Sequence, residues 1–193
     1  MTNQESISLI EGYVRQVVSP NAEEWEAFRG ILSPRRIRKK ELILKQGQVC
    51  TFIAFVTEGF LREYNFLHDK DVTVDFISPS HFVTDYPSFL LQSPSVQYIE
   101  ALTDVECLVF KRDDIHRLYD QYKTWERFGR LIAERIFCNA EARRKNIISK
   151  SAEDLYHDFV REYPHVVQHV PQYYIASYLG LSPEHLSRIR RKV

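Results

Sequence analysis

Glu184, Ser187, Arg188 and Arg191 are spaced three and four residues apart near the end of the chain, so on a helix they project from one side. Their chemistry suits the edges of nucleic-acid bases. An arginine donates two hydrogen bonds to guanine O6 and N7, a glutamate accepts from cytosine N4, and a serine takes either role. Arg190 and Lys192 sit at the margins of that side and suit phosphates. Ser182 and His185 complete the set of candidate contacts.

The surrounding residues must build the helix that presents them. Pro171 suits a first helical turn, and Ile175, Ala176 and Leu179 form one apolar face, with Ala176 small where a second helix must approach. Gly180 stands where the first helix must end in a tight turn. Ser182 is an N-cap, Pro183 fits the first helical position and Glu184 suits the positive helix end. Leu186, Ile189 and Val193 then bury the opposite edge. Helix, glycine turn and helix at this spacing form the helix-turn-helix signature. The bare pattern also fits a helical hairpin with a solvated basic surface. The Ser-Pro cap, the small residue and the arginine-rich outer side favour the first reading.

The rest of the 193 residues divides by texture. Ile7 to Val17 and Trp25 to Leu32 carry helical spacing, broken by Pro20-Asn21. From Pro34 to about Phe110 the chain is short β-branched and aromatic runs separated by turns such as Gln46-Gly47-Gln48 and Glu58-Gly59, as in a sandwich or barrel. Ile115 to Tyr122 fits a short helix, and residues 124 to 149 a long one with a wide apolar face: Trp125, Phe128, Leu131, Ile132, Ile136, Ala140 and Ala142. So wide a face needs two neighbours, its own barrel and a partner helix. Phe128, Leu131, Ile132 and Arg135 are the candidate dimer contacts, with Leu131 and Ile132 at the seam. Ser151 caps a further helix that ends at Pro164, and His165 to His169 reads as a linker.

Composition excludes several classes. With 44% hydrophobic and 27% charged residues the chain is an ordinary globular protein. No apolar run has the length of a bilayer span, and the start does not read as a signal peptide. Three scattered cysteines point to a reducing compartment, hence the cytoplasm, and to no cysteine-based metal site. The net charge of zero weighs against nucleic acid, although its distribution does not. The clusters Arg35 to Lys40 and Arg143 to Lys145 read as solvated faces. No Gly-rich phosphate loop, H-E-x-x-H or G-x-S-x-G motif supports an enzyme.

This order of parts resembles the Crp/Fnr family of transcription regulators. The residues that carry the resemblance are E-L-I-L-K-Q-G at 41–47, T-E-G-F at 57–60, residues 75–82 and the tail I-A-S-Y-L-G-L-S-P-E-H-L-S-R-I-R. The resemblance implies an α+β fold: a cyclic-nucleotide-binding-type jelly-roll barrel over 1–122, a dimerisation helix over 123–149 and a helix-turn-helix domain over 150–193. It implies a homodimer on palindromic double-stranded DNA, with RNA polymerase as a further candidate partner. It places an effector pocket at Phe82, Thr84, Asp85, Ser95 and Val96, where cyclic-AMP-binding members carry F-G-E-L and R-S. Asp85 is an acid one methylene shorter, Thr84 replaces glycine, and Ser95-Val96 replaces Arg-Ser. A buried phosphate needs a positive partner, so no response to cyclic AMP is expected. No cofactor is expected, and His68, His81 and Asp85 read as ordinary polar residues rather than ligands. The alternative is a sensor or interaction module whose DNA-binding head is vestigial.

Overall fold

The backbone N–H of Glu5 donates to the Thr2 hydroxyl while the Thr2 N–H donates to the Glu5 carboxylate, a capping box that starts α1 (Asn3–Val17). Asn21 and Glu24 repeat the device at α2 (Ala22–Ile31). The structure, a computed structural model, describes residues 2–67 and 69–191. The strands follow as β1 (Ser33–Ile37), β2 (Leu42–Leu44), β3 (Phe52–Glu58), β4 (Leu61–Leu67), β5 (Lys70–Ile77) and β6 (Phe82–Val83). After α3 (Tyr86–Leu91) come β7 (Gln97–Ala101) and β8 (Val105–Lys111). All pairings are antiparallel, in two four-stranded sheets ordered β1-β8-β3-β6 and β2-β7-β4-β5. This is the expected jelly roll. Gly59, at φ +87°, makes the β3–β4 turn, where a side chain would also run into the Asp104 carbonyl.

Helices α4 (Arg112–Gln121) and α5 (Lys123–Ser149) leave the barrel, followed by α6 (Ala152–Glu162), α7 (Pro164–His169), α8 (Gln172–Leu179) and α9 (Pro183–Arg190). Two helices differ from the sequence expectation. The segment His165 to His169 is helical, since Pro164 begins α7 as well as ending the run before it. Helix α3 is capped by Asp85, which accepts from the Ser88 N–H, within what reads as a strand region.

The main core is aromatic. Phe28 stacks on Trp125 at 4.4 Å, and Phe82 meets Tyr13, Phe55, Phe110 and Phe128 at 5.0–6.3 Å, mostly edge-to-face. These contacts tie α1, α2 and the start of α5 to the β1-β8-β3-β6 sheet. A second core joins Tyr156, Phe159, Val166, Val170, Ile175, Ala176, Leu186 and Ile189 of the C-terminal helices to Phe76 of β5.

Candidate functional site

The last two helices meet at a turn whose geometry follows from three residues. Gly180 adopts φ +69°, and the Leu181 N–H returns to the Ala176 carbonyl at 2.9 Å, closing α8. The His185 N–H donates to the Ser182 hydroxyl at 3.2 Å, and Pro183 occupies the first position of α9. Leu186 and Ile189 are buried against Ile175 and Ala176. Ser182, Glu184, Ser187, Arg188, Arg190 and Arg191 are exposed, whereas His185 is half-buried. Lys192 and Val193 lie outside the described residues. The Glu184 carboxylate is held below its ordinary pKa by its own backbone N–H, the Ser182 hydroxyl and the Arg188 charge, so it remains an anionic acceptor. The outer side of α9 therefore offers an acceptor at its first turn and an arginine one turn later.

Helix α8 is seated on the second sheet. The Thr73 N–H donates to the Ser177 hydroxyl at 2.9 Å, which in turn donates to the Asp71 carbonyl at 3.4 Å. Arg62, only 2% exposed, pairs with Asp71 at 2.8 Å and Glu100 at 2.9 Å, under the ring of Tyr174. The Tyr163 hydroxyl donates to Asp75 at 3.2 Å. Arg143 is not part of a solvated face. It donates to the Val74 and Tyr178 carbonyls, with its guanidinium carbon 3.9 Å from the Tyr178 ring centre. Sequence reasoning missed these contacts because their partners lie far apart in the chain.

The candidate effector residues are only partly brought together. Asp85, 4% exposed, accepts from the Ser95 hydroxyl at 2.5 Å and from the Ser88 N–H at 3.2 Å. Thr84 donates to the Phe52 carbonyl at 2.8 Å, Phe82 belongs to the aromatic core, and Val96 is exposed. Two further acids, Glu63 and Asp75, were not singled out in the sequence as candidates. Burial, with the charges of Asp75 and Asp85, pushes the Glu63 carboxyl up to about 8, and burial also raises Asp75. Glu63 and Asp75 line a cavity that also holds Arg143 and Arg144 and does not include Asp85 or Ser95. His81 is exposed, with Nδ1 3.2 Å from the Ser78 hydroxyl and 3.1 Å from the Pro79 carbonyl, and His68 lies outside the described residues.

On α5 the residues expected at the seam pack largely within their own chain. Phe128 is 5% exposed and belongs to the core of its own chain, against which Leu131 and Ile132 are also packed. Arg135 is exposed and donates to the Tyr13 hydroxyl at 3.3 Å. The exposed apolar residues are Ile136, Phe137, Ile147 and Ile148. Ala133, Phe137, Ala140, Arg144 and Ile147 recur at alternating steps of four and three, a coiled-coil seam spacing. No described helix is long and apolar enough to cross a membrane.

Residues 34–122 match the cyclic nucleotide-binding domain family. No curated protein sequence matches the chain significantly. Among solved structures, the chain is similar to FixK2 from Bradyrhizobium japonicum, with 18% identity, 84% of each chain covered and a TM-score of 0.71. It is also similar to a putative transcriptional regulator of the Crp/Fnr family from Eubacterium rectale, with 16% identity, 90% of this chain and 83% of that one covered and a TM-score of 0.67. The c-di-GMP responsive global regulator CLP of Xanthomonas campestris aligns at 14% identity over 89% of this chain and 91% of its own, with a TM-score of 0.65. At these identities the likeness is one of fold. Residues 34–122 thus match the cyclic nucleotide-binding domain family, and the chain as a whole shares the fold of the Crp/Fnr regulator from Eubacterium rectale and of FixK2.

Proposed function

We propose that this protein is a sequence-specific, non-enzymatic DNA-binding transcription regulator that works as a homodimer in the cytoplasm and does not respond to cyclic AMP. In this reading residues 1–122 sense, 123–149 pair and 150–193 bind DNA. The observation that carries it is the division of α9: Leu186 and Ile189 are buried while Glu184, Ser187 and Arg188 face solvent together. A recognition helix needs that division, because its N-terminal residues enter the major groove while its other edge packs on the preceding helix. Arg190 and Lys192 would meet phosphates.

Pairing is assigned to the exposed face of α5 around Ala133, Phe137, Ala140 and Ile147, in place of Leu131 and Ile132. Two copies related by a twofold axis would present two α9 helices to a palindromic site. The absence of a cyclic AMP response is supported by serine in place of a cation at position 95 and by the Asp85–Ser95 hydrogen bond, which occupies the acid that a ribose would need.

The test is selection of bound sites from random double-stranded DNA. Enrichment of a palindrome by the wild-type protein supports the reading. Binding without sequence enrichment favours instead a sensor module with a vestigial head.

A further inference from the structure

A second cavity, of about 270 Å³, lies where the barrel meets α3, α4 and α5. Its walls are the side chains of Phe82, Phe110, Phe128 and Ile132, and the tyrosines Tyr86 of α3 and Tyr119 of α4 also line it. It shares Phe82 and Thr84 with the candidate effector residues but not Asp85, Ser95 or Val96, the positions where a cyclic nucleotide's ribose and phosphate would be held. An engineered apolar cavity of about 150 Å³ already binds benzene. This one therefore has room for an aromatic ring and a short substituent.

The cavity also has polar groups that nothing in the protein uses. Neither the Tyr86 nor the Tyr119 hydroxyl has a hydrogen-bond partner among the described residues, although both side chains are half-buried. Burial pushes the Tyr119 hydroxyl up to about 12 and raises Tyr86 as well, so both keep their protons and can donate. The glycine of α5 keeps the Tyr119 hydroxyl in place: a side chain at Gly129 would begin 2.5 Å from that oxygen. A half-buried donor with no acceptor in the protein is free to take a ligand oxygen.

We propose that this cavity binds a compact, ring-sized, mostly apolar molecule carrying one oxygen acceptor, with Tyr86 and Tyr119 as the donors to that oxygen. The site stands on the cavity and its two phenols and does not rest on the DNA-binding reading.

The test is titration of the full chain by calorimetry with acetophenone, a ring with one carbonyl, and with toluene, the similar ring without an acceptor. Acetophenone is expected to saturate with a Kd below about 1 mM, more tightly than toluene. The double variant Tyr86→Phe/Tyr119→Phe should weaken acetophenone about three- to tenfold, the range of a net hydrogen bond, and leave toluene unchanged. Leu90 lines the cavity and is 47% exposed, so Leu90→Trp should fill the mouth without disturbing the core and abolish binding of both probes. Three results would each overturn the proposal: no saturable binding of acetophenone to the wild type, acetophenone affinity indifferent to the loss of both hydroxyls, or binding that survives Leu90→Trp.

Discussion

The guanidinium carbon of Arg62 lies 3.6 Å from the centre of the Tyr174 ring, which joins a β4 residue of the barrel to the first helix of the helix-turn-helix. The Tyr64 ring lies 4.2 Å from the same carbon. Arg62 Nε and Nη1 have no hydrogen-bond partner among the described residues, so ring faces and the two carboxylates of Asp71 and Glu100 are what hold this charge out of water. Arg62→Ala should cost about 3 kcal/mol of unfolding free energy, the low end for a broken buried pair because Asp71 remains half in solvent. Tyr174→Leu should cost about 1 kcal/mol. Urea denaturation measures both. Equal and negligible effects would mean that α8 is not anchored at this point.

Arg188→Ala should remove roughly 1–3 kcal/mol of base discrimination at each half-site. The melting temperature should stay within about a degree of wild type, because the side chain is exposed. Site selection from random DNA, run on both proteins, reads the difference. Enrichment of the same palindrome to the same degree would remove Arg188 from the list of base readers.

Phe137 is 68% exposed and contributes nothing to the core of its own chain. Phe137→Glu combined with Ile147→Glu should therefore leave the fold intact and turn a dimer into a monomer in sedimentation at micromolar concentration. A wild-type protein that already sediments as a monomer would contradict the assigned seam.

Glu63 binds its proton more tightly in the folded chain, with its pKa pushed from the ordinary 4.5 to about 8. The stability that this proton brings is fully present below about pH 4.5. It is lost as the pH climbs through about 8, a loss on the order of 2–4 kcal/mol. Asp75, also raised, acts in the same direction. Melting curves should therefore shift downward between about pH 5 and pH 9. Glu63→Gln should flatten that slope and be the more stable protein at the alkaline end. An unchanged slope would show that the Glu63 carboxyl is not buried.

Cyclic AMP should show no saturable binding below about 1 mM by calorimetry, since Ser95 cannot offset the phosphate as an arginine there would. Ser95→Arg alone should not restore it, because Asp85 and Glu63 stay where they are and Val96 points to solvent. Micromolar binding to the wild type would contradict this account of the pocket.

The local signals were legible in the sequence. Gly180, Ser182 and Pro183 each act within a few residues, so the turn and both flanking helices follow from the order of residue types. The strands were marked by their turns. What the sequence did not show was which half of α5 faces the barrel, because a helical wheel with a wide apolar face does not label its two neighbours. Leu131 stands on that face and Phe137 off it, and only packing assigns one to the core and the other to solvent. Helix α3 was hidden because its six residues offer too short a period, leaving only the Asp85 cap to announce it. The acids Glu63 and Asp75 sit directly opposite each other on paired strands, a meeting that depends on register.

Phe76 extends from a barrel strand into the cluster that buries Phe159, Ile175 and Leu186. The covalent boundary near residue 150 is thus not an energetic one. A fragment cut there would leave the C-terminal helices with an open apolar seat, and one cut after the barrel would leave Phe76 in water. Head and barrel are less like beads on a string than like two halves of a hinge that share a pin. Grafting this head onto another barrel would require transplanting the strand that completes it.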